Sequence, residues 1–325
     1  MEDRQQTSGD GYAIVLAAGK GTRMKSARAK VLHEVLFAPM VSHVMDSLVE
    51  IGAHSVVVTG HQAEEVEAAL ASYKPIFIRQ HEQLGTGHAV LATEAALADK
   101  KGMALILCGD TPLVRPQTLR QMTEAHIKNK NCLTVMTTVL DNPANYGRIV
   151  SDEAGELLRI VEEKDASAQE RQIREVNAGM YCVALESLFA ALHHVGSDNA
   201  QGELYLTDII EIIKKDGARV GKFVCLDKDE ILGVNSRVEL ESANSIMQER
   251  VNKDFMLAGV SLVGSSSIFI EKTVSIGSDT SIMGNCYITG KTVIGPACKI
   301  GPFCNLCDCQ IAAGSIVLPF TNKII

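Results

Sequence analysis

The sequence predicts an α/β protein: a doubly wound, mainly parallel but mixed sheet, followed by a short left-handed parallel β-helix of six-residue repeats. Three observations carry that prediction. Apolar runs of strand length alternate with helical patterns from Tyr12 to Cys108, the rhythm of βα units. A glycine-punctuated basic loop and a carboxylate, Asp110, each follow such a run, and sheets of this class bind ligands at the carboxyl ends of their strands. From Ile270 onward, a six-residue aliphatic period appears that belongs to neither helix nor flat strand.

In chain order, residues 1–11 are polar and lack an apolar signal core, so they are expected to be a disordered tail and not an export signal. Residues 13–16 form an apolar run that reads as a buried strand, and it breaks into Ala17-Ala18-Gly19-Lys20-Gly21-Thr22-Arg23-Met24. Gly19 and Gly21 allow close approach of the backbone to a ligand, and successive N–H groups in such a loop make a concave anion site. Arg23, Lys25, Arg28 and Lys30 add positive charge within one short reach, the profile of a polyphosphate cradle. The loop lacks the spacing of a P-loop, and the third glycine of a dinucleotide fingerprint is replaced by Met24.

Residues 40–51 have helical periodicity, 54–59 read as a strand, 62–70 as a helix and 74–79 as a strand. The Ala-rich stretch 86–97 predicts one helix, and 103–108 a fourth strand that delivers Gly109 and Asp110. After Cys132 the pattern changes. Residues 133–140, 147–150 and 177–183 read as strands, and 199–208 lead into a helix ending near Gly217. This half is expected to complete one domain spanning 12–236, with 237–257 as a helical arm and 258–325 as the repeat domain. Sampling every sixth residue from Ile270 to Ile324 gives Ile or Leu at nine of ten positions, Ala312 being the exception. Ten hexads make roughly three coils at three hexads each.

Composition bounds the function. At 325 residues two domains are expected, and the 46% apolar and 22% charged content is that of a soluble globular chain. A net charge of −8 argues against non-specific nucleic-acid binding. The sequence has no apolar run of the about 18 residues a membrane span needs. Nine cysteines without a signal peptide imply a reducing, cytoplasmic setting with free thiols. Cys304-x-x-Cys307-x-Cys309 has the shape of half a zinc site. Cys298 and Cys304 are, however, six apart and inside the repeat register, so these are expected to be core or surface thiols. The nine histidines show no ligand spacing.

Several strings then resemble one family. They are L-x-x-G-x-G-T-R-M from Leu16, with Lys30 in K-V-L-H, and Q-H-E-Q-L-G-T-G-H-A from Gln80. C-G-D-T-P runs from Cys108, Y-G-R-I from Tyr146, V-E from Val161, E-V-N-A-G from Glu175 and G-V-N-S-R from Gly233. Together they resemble the sugar-1-phosphate nucleotidyltransferases, and most closely their N-acetylglucosamine-1-phosphate uridyltransferase branch. The resemblance implies a Rossmann-like nucleotidyltransferase fold and uridylyl transfer from UTP to N-acetylglucosamine-1-phosphate, giving UDP-N-acetylglucosamine and pyrophosphate.

It further implies Arg23 and Lys30 as catalytic residues, with Mg²⁺ on Asp110 and Asn235. Leu16, Ala17, Ala18, Gly19, Gly21, Thr22, Gln80, Gly85, Thr86, Cys108 and Gly109 are implied to bind substrate, with Gly147, Glu162 and Asn177 on the sugar. The register between Glu162 and Glu163 stays open. Cys108 stands where the family often has tyrosine. The family is bifunctional, and its acetyltransferase residues lie in coils beyond those matched here, so acetyl transfer is expected to be absent. A homotrimer through the β-helix is implied, with no nucleic-acid or membrane partner. Two other readings are a glucose-1-phosphate thymidylyl- or uridylyltransferase and a non-catalytic nucleotide-binding assembly module.

Overall fold

Alternate residues of β1 (Tyr12–Ala17) belong to two different hydrophobic clusters, Tyr12 and Ile14 to one, Ala13, Val15 and Ala17 to the other. A strand buried on both faces needs such an unbroken apolar run, because successive side chains point to opposite sides. The computed structural model describes residues 11–324; the tail expected over 1–11 lies, apart from Gly11, outside them.

β1 pairs in parallel with β2 (His54–Thr59) on one side and with β4 (Met103–Cys108) on the other. β3 (Ile76–Arg79) extends the parallel half beyond β2. On the other flank the strands are β5 (Leu133–Val139), the hairpin β6 (Arg148–Ser151) and β7 (Leu157–Val161), β8 (Glu175–Ala184) and β9 (Val220–Val224). The order is β9-β5-β8-β4-β1-β2-β3, with the hairpin attached to β8. β8 runs antiparallel to both β4 and β5, whereas β9 is parallel to β5, so the sheet is mixed as expected.

Helices cover both faces. α1 (Met40–Glu50) buries Val41, Val44, Met45 and Leu48 in one cluster, the three- and four-residue spacing of a single helical stripe. α2 (Ala63–Leu70) packs Val66 and Leu70 into the same cluster. The helix expected over 86–97 is two pieces, α3 (Thr86–Leu91) and α4 (Glu94–Leu97). Between them the buried Thr93 hydroxyl donates to the Val90 carbonyl at 2.7 Å, a side-chain bond that competes with the helical ladder. α5 (Pro116–Lys128), β7, α6 (Leu185–Leu192) and β9 are elements not expected from the sequence. α7 (Ile209–Lys215) ends just before Gly217, where expected.

The chain divides into two packed units, one of 11–33 with Pro39–Ser236, the other of Glu34–Ala38 with 237–324. α8 (Arg237–Leu257), expected as an arm, thus belongs to the second unit. There the Gln248 side-chain amide donates to the Ser266 and Ile268 carbonyls at 3.1 and 2.8 Å. Asn252 donates to Ser265 and Ile268, both at 2.9 Å.

From Ser261 onward this unit forms three parallel sheets of short strands, stacked coil on coil. Cys286–Thr289 lies over Ile268–Ile270, and Asn305–Cys307 over Cys286–Thr289, the arrangement of a left-handed hexapeptide β-helix. Ile282, Ile288, Ile294, Ile300 and Leu306 are buried as the sixfold register requires. The register then slips by one residue. Ile311, not Ala312, stacks on Ile294, and Val317 and Lys323 stack on Ile300 and Leu306. Leu318 and Ile324, aliphatic in the strict register, are consequently exposed. Cys298 and Cys304 are buried in the solenoid and donate to the Ala312 and Leu318 carbonyls at 3.1 and 3.3 Å, in keeping with core thiols.

Candidate active site

The loop after β1 brings a lysine to a carboxylate. Gly21 sits at φ +59, and a Cβ there would lie 2.5 Å from Lys30 Cβ, so only glycine lets the lysine stem cross the loop. Lys30 Nζ donates to the Asp110 carboxylate and, at 3.0 Å, to the Asn235 Oδ1. Gly109, just before Asp110, donates its N–H to the Leu16 carbonyl at 2.9 Å, tying the end of β4 to β1. The Val234 N–H donates to the Asp110 carbonyl at 2.9 Å. The Asn235 Nδ2 donates to Gly233 at 3.1 Å, which turns its oxygen toward Lys30. Arg23 lies elsewhere: it is exposed on the 3-10 turn Thr22–Met24, anchored by buried Met24, and does not line the cleft.

A cleft of ≈ 300 Å³ opens between the ends of β1, β3 and β4, lined by Leu16, Ala18, Gly19, Lys30, Gln80, Gly85, Thr86, Cys108 and Asp110. Its second wall depends on Gly85, at φ +111, where a Cβ would stand 2.5 Å from the Leu204 carbonyl. The segment 203–206 is laced to this wall by Leu204 N–H to Leu84 O and Gly87 N–H to Leu204 O, both 2.8 Å. Thr86 does not cap its own helix; its Oγ1 accepts from the Leu206 N–H at 3.1 Å. Buried Gln80 donates from Nε2 to Gly85 O at 3.3 Å and to His88 Nδ1 at 3.0 Å.

Beyond Cys108 the neighbouring groups are Gly179, Asn177 and Tyr181. Cys108 Sγ is 3.7 Å from the Gly179 carbonyl, and Asn177 Oδ1 accepts from the Gly179 N–H at 2.9 Å. Asn177 Nδ2 donates to the Tyr181 hydroxyl at 2.8 Å. A Cβ on Gly147 would lie 3.4 Å from both Glu162 oxygens, so these two face one another, and Glu162 reaches the Thr207 hydroxyl at 3.4 Å. Glu163 instead pairs with the buried Arg148 at 2.6 Å. Burial pushes the Glu162 carboxyl up, with Asp208 and Asp165 adding to it. The Cys108 thiol is pushed up to about 12, by burial first and the Asp110 charge second.

Of the sequence-derived candidates, the cleft gathers Leu16, Ala18, Gly19, Lys30, Gln80, Gly85, Thr86, Cys108 and Asp110. Asn235 joins through Lys30, and Asn177 adjoins through Gly179 and Cys108. Gln83, whose Nε2 donates to Ala18 O at 2.7 Å, went unread although it stands in the same string as Gln80. Val31 and Ala89, which stand in the K-V-L-H and Q-H-E-Q-L-G-T-G-H-A strings, and Glu203 also line the cleft, although none is among the sequence-derived candidates.

Comparison with known proteins fits this geometry. Residues 13–177 match the MobA-like NTP transferase domain, and 273–308 match the bacterial transferase hexapeptide family of six repeats. The chain is 46% identical over 307 residues to the bifunctional protein GlmU of Geobacillus sp. (strain WCH70), covering 94% of this chain and 67% of that protein. It belongs to the GlmU family. The GlmU of Desulfotalea psychrophila is also 46% identical, over 305 residues, with 94% of this chain and 90% of that protein covered. Among solved structures, a UDP-glucose pyrophosphorylase complexed with UDP-glucose is similar at TM-score 0.60 and 20% identity, over 75% of this chain and 100% of that one. This likeness speaks for the fold. As a GlmU family member with an NTP transferase domain, the chain is a nucleotidyltransferase enzyme.

Proposed function

We propose that this chain transfers the uridylyl group of UTP to N-acetylglucosamine-1-phosphate, releasing pyrophosphate and giving UDP-N-acetylglucosamine. The observation that carries it is the convergence of Asp110 and Asn235 on Lys30, in a cleft that Lys30, Asp110 and Cys108 line, in a chain 46% identical to GlmU proteins.

A sugar phosphate is already ionised at neutral pH, so the chain needs no general base; alignment and charge neutralisation suffice. The nucleotide lies against Leu16, Ala17, Ala18 and Gly19, its base toward Gln80, Gly85 and Thr86. The sugar lies beyond Cys108 and Gly109 toward Gly147, Glu162 and Asn177. Lys30 neutralises the phosphates at the reacting centre. Arg23, Gly21 and Thr22 serve the departing phosphates, Arg23 reaching in from its exposed turn.

Asp110 and Asn235 fit a hard divalent cation. Their oxygens come from distant parts of the chain and already converge on one cationic centre, the Lys30 ammonium. Magnesium commonly takes one or two protein oxygens, with substrate phosphates and waters completing its shell; bound there, it would neutralise phosphate charge.

On one solenoid sheet Val263 stacks on Met283, and Leu318 follows beyond Gly301; all three side chains are exposed and apolar, which supports association into a homotrimer through the β-helix. Unpaired thiols at all nine cysteines support a cytoplasmic setting, and no helix of the described residues is long and apolar enough to cross a membrane.

The reverse reaction tests the assignment. Incubated with Mg²⁺, pyrophosphate and UDP-N-acetylglucosamine, the enzyme is expected to release UTP, with UDP-glucose and dTDP-glucose as poor substitutes. Preference for either substitute contradicts the assignment.

A further inference from the structure

The contacts of Gln80 fix more than its position. Its backbone N–H, just past the end of β3, donates to Thr59 O at 2.7 Å, and its side chain is 6% exposed. A carbonyl can only accept, so the amide atom 3.3 Å from Gly85 O is the nitrogen, and the side chain cannot be flipped. The same NH₂ group lies 3.0 Å from His88 Nδ1. That ring nitrogen must therefore accept, which places the imidazole proton on Nε2. Both amide hydrogens are thus consumed, and among the described residues no hydrogen bond reaches Oε1. Gln80 lines the cleft and also a neighbouring hollow with Arg79 and Gln83, and Oε1 is the amide atom left to accept there.

We infer that His88 is a positioning residue for nucleobase selection: with Gly85 O it locks Gln80 so that Oε1 accepts from a ring N–H. The inference rests on the placement of the base proposed above. Uracil carries a donor at ring N3, whereas cytosine carries a lone pair there. Facing a locked carbonyl oxygen, uracil gains a hydrogen bond, and cytosine leaves two acceptors opposed and a buried group unpaired. His88 touches no substrate atom in this scheme; it acts through Gln80.

The test compares kcat/KM for UTP and CTP in wild type, His88→Leu and His88→Asn. Wild type is expected to favour UTP strongly. In His88→Leu the UTP/CTP ratio is expected to fall at least about tenfold, the scale of one discriminating hydrogen bond. The loss should arise in KM, with kcat for UTP within about twofold of wild type. His88→Asn, whose Oδ1 accepts the same N–H, should restore most of the ratio. An unchanged ratio in a folded His88→Leu overturns the inference. Should that variant not fold, ¹⁵N spectra of the wild-type ring decide: the Nε2–H tautomer supports the lock and the Nδ1–H tautomer overturns it. A wild type that uses CTP as readily as UTP would instead overturn the underlying placement of the base.

Discussion

Lys30 Nζ donates to the amide oxygen of Asn235 at 3.0 Å across 205 positions of sequence, while the same ammonium is ion-paired with Asp110. One flexible cation thereby gathers the residues proposed to hold a divalent metal. The side chains of Lys30 and Asp110 are each 15% exposed, a setting in which an uncompensated charge is costly. The lysine keeps the carboxylate neutralised.

This pairing separates metal dependence from stability. Chelation with EDTA is expected to abolish turnover yet move the melting temperature by no more than about 1 °C, since a ligand that binds the native state weakly adds little stability. Calorimetry with and without EDTA, beside an activity assay, checks this. A drop of many degrees would mean the metal holds the fold.

Gly85 tests the wall of the cleft. Alanine there must adopt φ +111 and place its Cβ 2.5 Å from Leu204 O and 2.9 Å from Glu203 Cβ. Strain of this kind costs about 1–3 kcal/mol, and the laced segment 203–206 has to shift. Gly85→Ala is expected to fold with a lowered melting temperature and at least about tenfold raised KM for UTP. Unaltered KM in the folded variant would place the nucleotide elsewhere.

Asp208 gives a pH signature. Its carboxyl is pushed up from 3.8 to about 6, chiefly by burial, then by Glu211 and Asp165. Between those values the folded state holds a proton that the unfolded chain has released, so stability falls as pH rises through about 6. Above that pH the buried charge is a cost. Asp208→Asn is therefore expected to stabilise at pH 7.5, by roughly 1 kcal/mol after solvent screening, and to change little at pH 4. Denaturant unfolding at both pH values reads this, and equal effects would contradict it.

Legibility in the sequence followed burial. β1, β2 and β4 are apolar runs enclosed on both faces, and periodicity finds such strands readily. β9 buries Val220 but leaves Val224 exposed at the sheet edge, and its Gly-Lys interior carries no strand signal. The solenoid was legible for the opposite reason, a period no other fold shares. Its one-residue slip stayed hidden because strict sixfold sampling still landed on Leu318 and Ile324, which are aliphatic but exposed. At the site, Lys30, Asp110 and Gln80 stand in dense local strings. Glu203 and Thr207 reach it through the fold of a distant loop, which no local pattern encodes. Arg23 shows the converse, since a motif residue can sit on an exposed turn.

Uridylyl transfer is proposed to occur in the cleft that Lys30 and Asp110 line. The most direct measurement is pyrophosphate release from UTP, N-acetylglucosamine-1-phosphate and Mg²⁺ by wild type and by folded Lys30→Ala, with dTTP and glucose-1-phosphate run in parallel. Release from the first pair by wild type is expected, with weak release from the second and a loss of about 10²–10³ in kcat/KM for Lys30→Ala, the scale of one charge-stabilising contact. Near-normal turnover by Lys30→Ala, or preference for the second pair, would contradict it.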